Sequence, residues 1–208
     1  MAHLDCAPGL ILLVCATTLA SGCGNMQGAR ALPPLPRGST ADVNEIRYDV
    51  RGTTVDEIRV SLRVSSRNAL RRNATGLHTW NLRYSYRYVQ HPNYCEMTEV
   101  TITLASDIEL PIWVDQERAD STLVGQWDEY ITALRAHEYG HRENSYRAAR
   151  EINRELLALE VPNCVGMTPT ARPIARRILD KYRRLNDEFD AEARGTITWP
   201  PRRGSAPF

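Results

Sequence analysis

The strongest constraint on the fold is a long apolar stripe with helical spacing in residues 121–160. Its members follow one another almost throughout in alternating steps of three and four, which places them on one face of an α-helix. Pro162 and Gly166 come after the segment, and both residue types favour the end of a helix. The stripe consists of Trp127, Ile131, Leu134, Glu138, His141, Ser145, Ala148, Ile152, Leu156 and Leu159. The sequence therefore predicts one long helix that packs along a single face.

Polar residues interrupt this stripe at one motif, His-Glu-x-x-His, formed by His137, Glu138 and His141. Burying Glu138 and His141 on a core-facing line costs free energy unless they are paired or bound to a metal. Because the two histidines are four positions apart, both imidazoles lie on one helix face and can occupy adjacent corners of a tetrahedral Zn²⁺ site. Glu138 is rotated away from the pair, so it can act as a general base beside the metal. A hydrogen-bonded structural histidine pair is the alternative interpretation.

Gly140 lies inside the motif, where glycine disfavours a helix by on the order of 1 kcal/mol relative to alanine. A close approach of another group to the helix backbone would explain a glycine at this position. We expect that group to be a substrate or another strand.

The N-terminus predicts export. Residues 10–19 are apolar apart from Thr17 and Thr18, are too few to span a bilayer, and are typical of a signal peptide. They lead into Leu-Ala-Ser-Gly-Cys at residues 19–23, which resembles a bacterial lipobox with cleavage before Cys23 and a lipid on its thiol. Plain signal-peptidase cleavage is the alternative. We therefore expect a signal peptide (1–22), a lipid-anchored linker (23–42) and a location in the bacterial cell envelope, as a lipoprotein facing the periplasm or as a secreted protein.

Export also makes the cysteines interpretable. Cys6 and Cys15 would leave with the signal peptide, and Cys23 would carry the lipid. Cys95 and Cys164 remain as an even pair in an oxidising compartment, so they are expected to form a disulfide.

The remaining patterns predict an α+β domain over residues 43–195 and a loose tail over residues 196–208. A capping box opens a first helix at Thr54 and Glu57. The chain is nearly neutral, with a formal net charge of +1 and no basic patch, so no nucleic-acid partner is expected. The order of elements predicts a small antiparallel sheet packed on the long helix and a C-terminal helix. Strands are expected at residues 45–50, 79–89 and 95–104, an extended piece at 110–113, and the last helix at 173–193.

This layout resembles the zincin architecture and, more narrowly, a bacterial family of predicted secreted zinc-dependent proteases, long catalogued as a domain of unknown function. The resemblance implies a zincin-like fold, Zn²⁺ as cofactor, and hydrolysis of peptide bonds in peptide or protein substrates. The matching stretches lie at residues 48–54, 79–82, 110–113, 136–141, 149–152, 164 and 189–190. The family also closes with a Tyr-Asp…Thr-x-His-Gly run. In the corresponding residues 189–195 the aspartate and the glycine match, whereas the histidine does not.

The third metal ligand is expected on the C-terminal helix, as in zincins. Asp190 is favoured because it lies at the helix end and matches the family motif. Glu188 and Glu192 are the main alternatives, and Asp180 and Asp187 are the remaining acids. His78 and His91 are set aside because they precede the long helix.

These residues predict an exported zinc metallopeptidase with Glu138 as its base. Two other functions remain open. One is a catalytically silent metal-binding envelope lipoprotein, which the mismatched family histidine favours. The other is a peptidoglycan amide hydrolase, because the same metal site could cleave that amide.

Overall fold

The chain forms a four-stranded mixed sheet with three helices in the part that the computed structural model describes, which is residue 32 and residues 34–65 and 75–201. The predicted signal peptide and Cys23 lie outside the described residues. The helices and strands, in chain order, are β1 (Thr40–Val50), α1 (Val55–Ser65), β2 (Leu77–Gln90), β3 (Cys95–Trp113), α2 (Ser121–Leu157), β4 (Glu160–Val161) and α3 (Met167–Ala193), with 3₁₀ turns at Gln116–Arg118 and Cys164–Gly166.

The sheet has the order β1-β3-β2, and β4 pairs with the start of β3. β2 and β3 form the expected antiparallel hairpin, but β1 runs parallel to β3 from the Thr40–Thr103 pair to the Val50–Trp113 pair. The prediction of an antiparallel sheet is therefore wrong for β1. Alternation of polar and apolar residues marks a strand, but it does not specify the neighbouring strand or its direction. β1 can run parallel to β3 because β2, which lies between them in the sequence, runs antiparallel to β3 and returns the chain to the end of the sheet where β1 begins.

β3 is longer than predicted. The two extended pieces expected at residues 95–104 and 110–113 are parts of one strand, Cys95–Trp113. Pro111 lies beyond the last residue that pairs with β2 and is opposite Tyr48 of β1, so its missing N–H costs no bond to the hairpin partner.

The predicted long helix is confirmed as α2. Asp120 caps its first turn by accepting hydrogen bonds from the backbone N–H groups of Thr122 and Leu123. Most of the stripe is buried, including Glu138 and His141 within the motif. The capping box that opens α1 is also present, because Thr54 and Glu57 bond to each other's backbone N–H groups.

Two apolar clusters cover the two halves of α2. The first half packs with β1, α1 and the end of β3, and Leu134 is its last buried member on α2. The second half packs with the start of β3 and with α3, beginning at Ala148. The buried polar residues of the motif lie between these clusters, which therefore hold the helix on both sides of the site.

The predicted disulfide is confirmed. Cys95, at the start of β3, is joined to Cys164, just before α3, with a Cα–Cα distance of 5.0 Å. It closes a loop with a sequence separation of 69 residues.

Both ends of the described chain are more closely packed than the sequence predicts. The residues expected to form a linker include Leu35, which packs on the core, and Ser39, whose hydroxyl accepts a hydrogen bond from the backbone of Ile102. Ile197 and Trp199 lie in the expected loose tail, yet both pack on the cluster around the first half of α2. Their apolar side chains were too isolated in sequence to show periodicity. None of the described helices is long and apolar enough to cross a membrane.

Candidate metal centre

Two histidines of α2, His137 and His141, direct their imidazole rings to the same place. His137 and His141 are both buried, with their ring centroids 4.6 Å apart and nearly perpendicular. Their Nε2 atoms are 3.1 Å from each other. The spacing of four residues has therefore produced the shared face that the sequence predicts.

Asp190, near the end of α3, brings a carboxylate to the same point. Its Oδ1 lies 3.1 Å from Nε2 of His137 and 2.9 Å from Nε2 of His141. Among the described residues, these three form the group of His, Cys, Asp and Glu side chains close enough together to hold a metal ion.

The other acids of α3 lie elsewhere. Glu188 and Glu192 are exposed, and neither belongs to the cluster. Asp180 accepts a hydrogen bond from Arg183 at 2.8 Å, and Asp187 lines the neighbouring cleft. His91, at the turn after β2, contacts Glu96 at 3.0 Å. Of the candidates for a third ligand, Asp190 is thus the one that the fold brings to the histidines.

The donor atoms suit a zinc ion. Bonds of about 2.0–2.1 Å in a tetrahedral site place neighbouring ligand atoms about 3.3 Å apart, close to the separations observed here. Nδ1 of His141 lies 3.2 Å from Oδ1 of Asn186, which also accepts a hydrogen bond from Asn144 at 2.9 Å. An amide oxygen only accepts, so Nδ1 of His141 donates to it, and in the metal-bound protein Nε2 would be the atom that offers a lone pair to the ion. A metal ion bound by this Nε2 and by Oδ1 of Asp190, which lie 2.9 Å apart, would offset the charge of the carboxylate.

Glu138 lies beside these donors and is not one of them. Its carboxyl group lines the cleft at the metal cluster, and the residue is only 4% exposed. Burial, together with the negative charge of Asp190, raises the pKa of Glu138 to about 8. A carboxyl group in this environment can exchange a proton near neutral pH.

A ring from α3, and not a strand, explains Gly140. A Cβ atom at this position would lie 2.7 Å from both Cε1 and Cζ of Phe189. The Phe189 ring stacks on His137, with centroids 4.7 Å apart and an angle of 13° between the planes. The glycine therefore allows α3 to approach α2 closely, and Phe189 places the adjacent Asp190 at the histidines.

The donors open into a cleft of about 710 Å³ between α2, α3 and the start of β2. Leu77 and Trp80 contribute apolar surface, whereas Arg183 and Arg194 contribute cationic groups. Arg194 directly precedes Gly195, the position at which the resemblance described above would lead one to expect a histidine. The cleft is large enough for several side chains of a bound ligand.

His78 also lines the cleft, although it precedes α2 in the sequence and was not expected near the metal. Its Nε2 lies 2.7 Å from Oγ of Ser106, and its ring is parallel to that of His141 with centroids 6.1 Å apart. Burial, followed by the nearby charge of His141, lowers its pKa to about 4, so the ring is neutral. The sequence did indicate this placement. His78 lies two positions before Trp80 in β2, so both side chains are on the face of the strand that points inward.

The fold and the site together define an α+β protein in which two histidines and an aspartate converge in a cleft beside a buried glutamate. The chain belongs to DUF922, a family described as "Bacterial protein of unknown function", which it matches over residues 46–196. A search of curated proteins found no match, and a search of solved structures found none.

Proposed function

We propose that this protein is an exported zinc-dependent metallopeptidase with a zincin-like site. His137, His141 and Asp190 would hold the zinc ion, and Glu138 would be the catalytic base. The observation that carries the proposal is the convergence of three donor atoms from two helices, at 2.9–3.1 Å from one another.

A zinc ion in such a site supplies a Lewis acid and makes a water molecule acidic enough to lose a proton near neutral pH. Glu138 would accept a proton from the attacking water on its carboxylate while the water oxygen adds to the peptide carbonyl carbon. It would then return that proton to the amine nitrogen as the C–N bond breaks. Its position in the cleft, beside the three donors and outside the ligand set, supports this role.

Export and a membrane anchor on Cys23 belong to the same proposal. They are supported by the signal-like N-terminus and by the Cys95–Cys164 disulfide, a bond typical of oxidising compartments. A peptide or protein is the proposed substrate, and the cleft of about 710 Å³, which Trp80 and Arg194 help to line, would accommodate part of such a chain.

A metal-binding protein without hydrolytic activity is the second candidate. Arg194 favours it, because a guanidinium is permanently charged and cannot replace a histidine as a metal ligand or a proton carrier. Intact Glu138 favours the peptidase, since the proposed metal site has no structural use for it.

Glu138→Gln separates the two candidates. The variant keeps the size of the side chain and removes its basicity, so we expect it to retain zinc while hydrolysis of casein falls on the order of 10²–10⁴-fold. Glu143→Gln is the matched control on the same helix, because Glu143 pairs with Arg147 outside the cleft. It should hydrolyse casein like the wild type.

Unchanged hydrolysis in Glu138→Gln would contradict the proposed mechanism. Wild-type protein with full zinc that cleaves neither casein nor peptidoglycan fragments would support the second candidate. Cleavage of peptidoglycan fragments alone would instead assign the site to an amide hydrolase.

A further inference from the structure

Two tyrosines from different elements hold one short corner of the backbone, Thr75–Gly76, which directly precedes β2. The hydroxyl of Tyr48, on β1, donates to the carbonyl oxygen of Thr75 at 2.6 Å. The hydroxyl of Tyr130, on α2, donates to Oγ1 of Thr75 at 2.5 Å. Tyr130 is buried, so neither the phenol nor its partner exchanges this bond readily for water.

The same corner lies directly against the carboxyl group of Glu138. A Cβ atom at Gly76 would lie 2.5 Å from Oε1 of Glu138 and 2.9 Å from Cδ1 of Leu134. Any side chain at position 76 would therefore have to displace one of these groups. The carboxylate also accepts a hydrogen bond from the backbone N–H of His78, two residues further along.

We propose that Gly76, Tyr48 and Tyr130 are positioning residues for Glu138. The two phenol hydroxyls fix the corner, and the corner fixes the direction of the carboxylate through close contact at Gly76 and one hydrogen bond from His78. The consequence for catalysis rests on the proposed peptidase function, in which Glu138 must lie within hydrogen-bond reach of the proton it accepts. A displacement of about 1 Å of such a group costs on the order of 10²-fold in rate.

The kinetic test compares Gly76→Ala and Tyr130→Phe with the wild type, each as zinc-loaded protein on a casein-derived peptide. We expect kcat to fall on the order of 10²-fold in Gly76→Ala and about tenfold in Tyr130→Phe, with KM and zinc content unchanged. Tyr86→Phe is the matched control, because the Tyr86 hydroxyl also donates to a threonine, Thr168, at 3.1 Å, and lies outside the cleft. It should leave kcat unchanged.

A kcat in Tyr130→Phe equal to that of Tyr86→Phe would overturn the proposal, as would a loss of zinc in place of a loss of kcat. If Gly76→Ala does not fold, Tyr130→Phe alone decides the outcome.

Crystal structures of the zinc-loaded variants supply a readout that does not need activity. We expect the Glu138 carboxylate to move in Gly76→Ala and Tyr130→Phe while His137, His141 and Asp190 keep their positions. An unmoved carboxylate overturns the proposal even if the protein is an active peptidase. A moved carboxylate in a protein that hydrolyses nothing would support the positioning role, and the failure would then belong to the proposed function.

Discussion

Glu138 is a buried carboxyl group whose raised pKa affects stability as well as chemistry. Its pKa rises from 4.5 to about 8 in the folded protein, so the folded state binds the proton more tightly than the unfolded state. The contribution of Glu138 to the stability of the metal-free protein therefore falls as the pH rises from about 4.5 to about 8, by about 1.4 kcal/mol for each unit of pKa difference at most.

Glu138→Gln isolates this effect, because glutamine does not titrate. We expect metal-free Glu138→Gln and metal-free wild type to differ little in unfolding free energy near pH 4.5, and the variant to become progressively more stable than the wild type up to about pH 8. Burial also lowers the pKa values of His78 and His137. Both proteins contain these histidines, so their contributions largely cancel when the unfolding free energy of one protein is subtracted from that of the other. Urea unfolding with a chelator at several pH values measures the difference. A difference that does not change with pH would show that Glu138 ionises freely in the folded state.

At the scale of elements, the contact between α2 and α3 at Gly140 controls the third donor. Replacing a helical glycine with alanine normally stabilises a protein by up to about 1 kcal/mol. Gly125 lies on the same helix, and a Cβ atom there would have nothing within 4 Å, so Gly125→Ala should show this gain. Gly140→Ala should not, because its methyl group would meet Phe189 at 2.7 Å.

We therefore expect Gly140→Ala to weaken zinc binding on the order of 10-fold or more, since displacing Phe189 moves the adjacent Asp190. Gly125→Ala should bind zinc like the wild type. Competition with a chelator of known affinity measures both. Equal zinc affinity in the two variants would mean that the Phe189 contact does not place Asp190.

The elements that sequence reasoning predicted well are those with strong local signals. The stripe of α2, the capping box of α1 and the alternation of β2 each lie within one segment, and each pattern produced its element. The direction of β1 could not be predicted in this way, because it depends on pairing with β3 far along the chain.

The residues of the site also differ in whether a local pattern could predict them. His137, Glu138 and His141 were predictable because their spacing within one helix already places them together. Asp190 needed a family resemblance, since Glu188 and Glu192 have the same chemistry on the same helix. The roles of Phe189 and the Thr75–Gly76 corner depend on contacts between distant segments, which no local pattern contains.

At the scale of the whole molecule, the Cys95–Cys164 disulfide ties the start of β3 to the start of α3. Both elements pack on the second half of α2, and Cys95 is fully buried. Replacing both cysteines with serine should lower the unfolding free energy by roughly 2–5 kcal/mol, because the loop between them is no longer closed in the unfolded chain.

Urea unfolding of the double variant beside the wild type measures this loss. Alkylation of natively exported protein without reductant, followed by intact mass, checks the bond itself. Alkylation of both Cys95 and Cys164 would show that the disulfide does not form in the cell envelope.

The central claim is that His137, His141 and Asp190 form a zinc site, and the zinc content of purified protein tests it most directly. We expect about one zinc per chain in the wild type, and loss of that zinc in His141→Ala and Asp190→Ala, because three protein ligands and one open position define a catalytic zinc site. Glu143→Ala, which changes an acid on α2 outside the cluster, should keep its zinc. Wild-type protein without zinc after purification in zinc-containing buffer, or full zinc in His141→Ala, would contradict the account. Full zinc in Asp190→Ala alone would contradict the assignment of the third ligand.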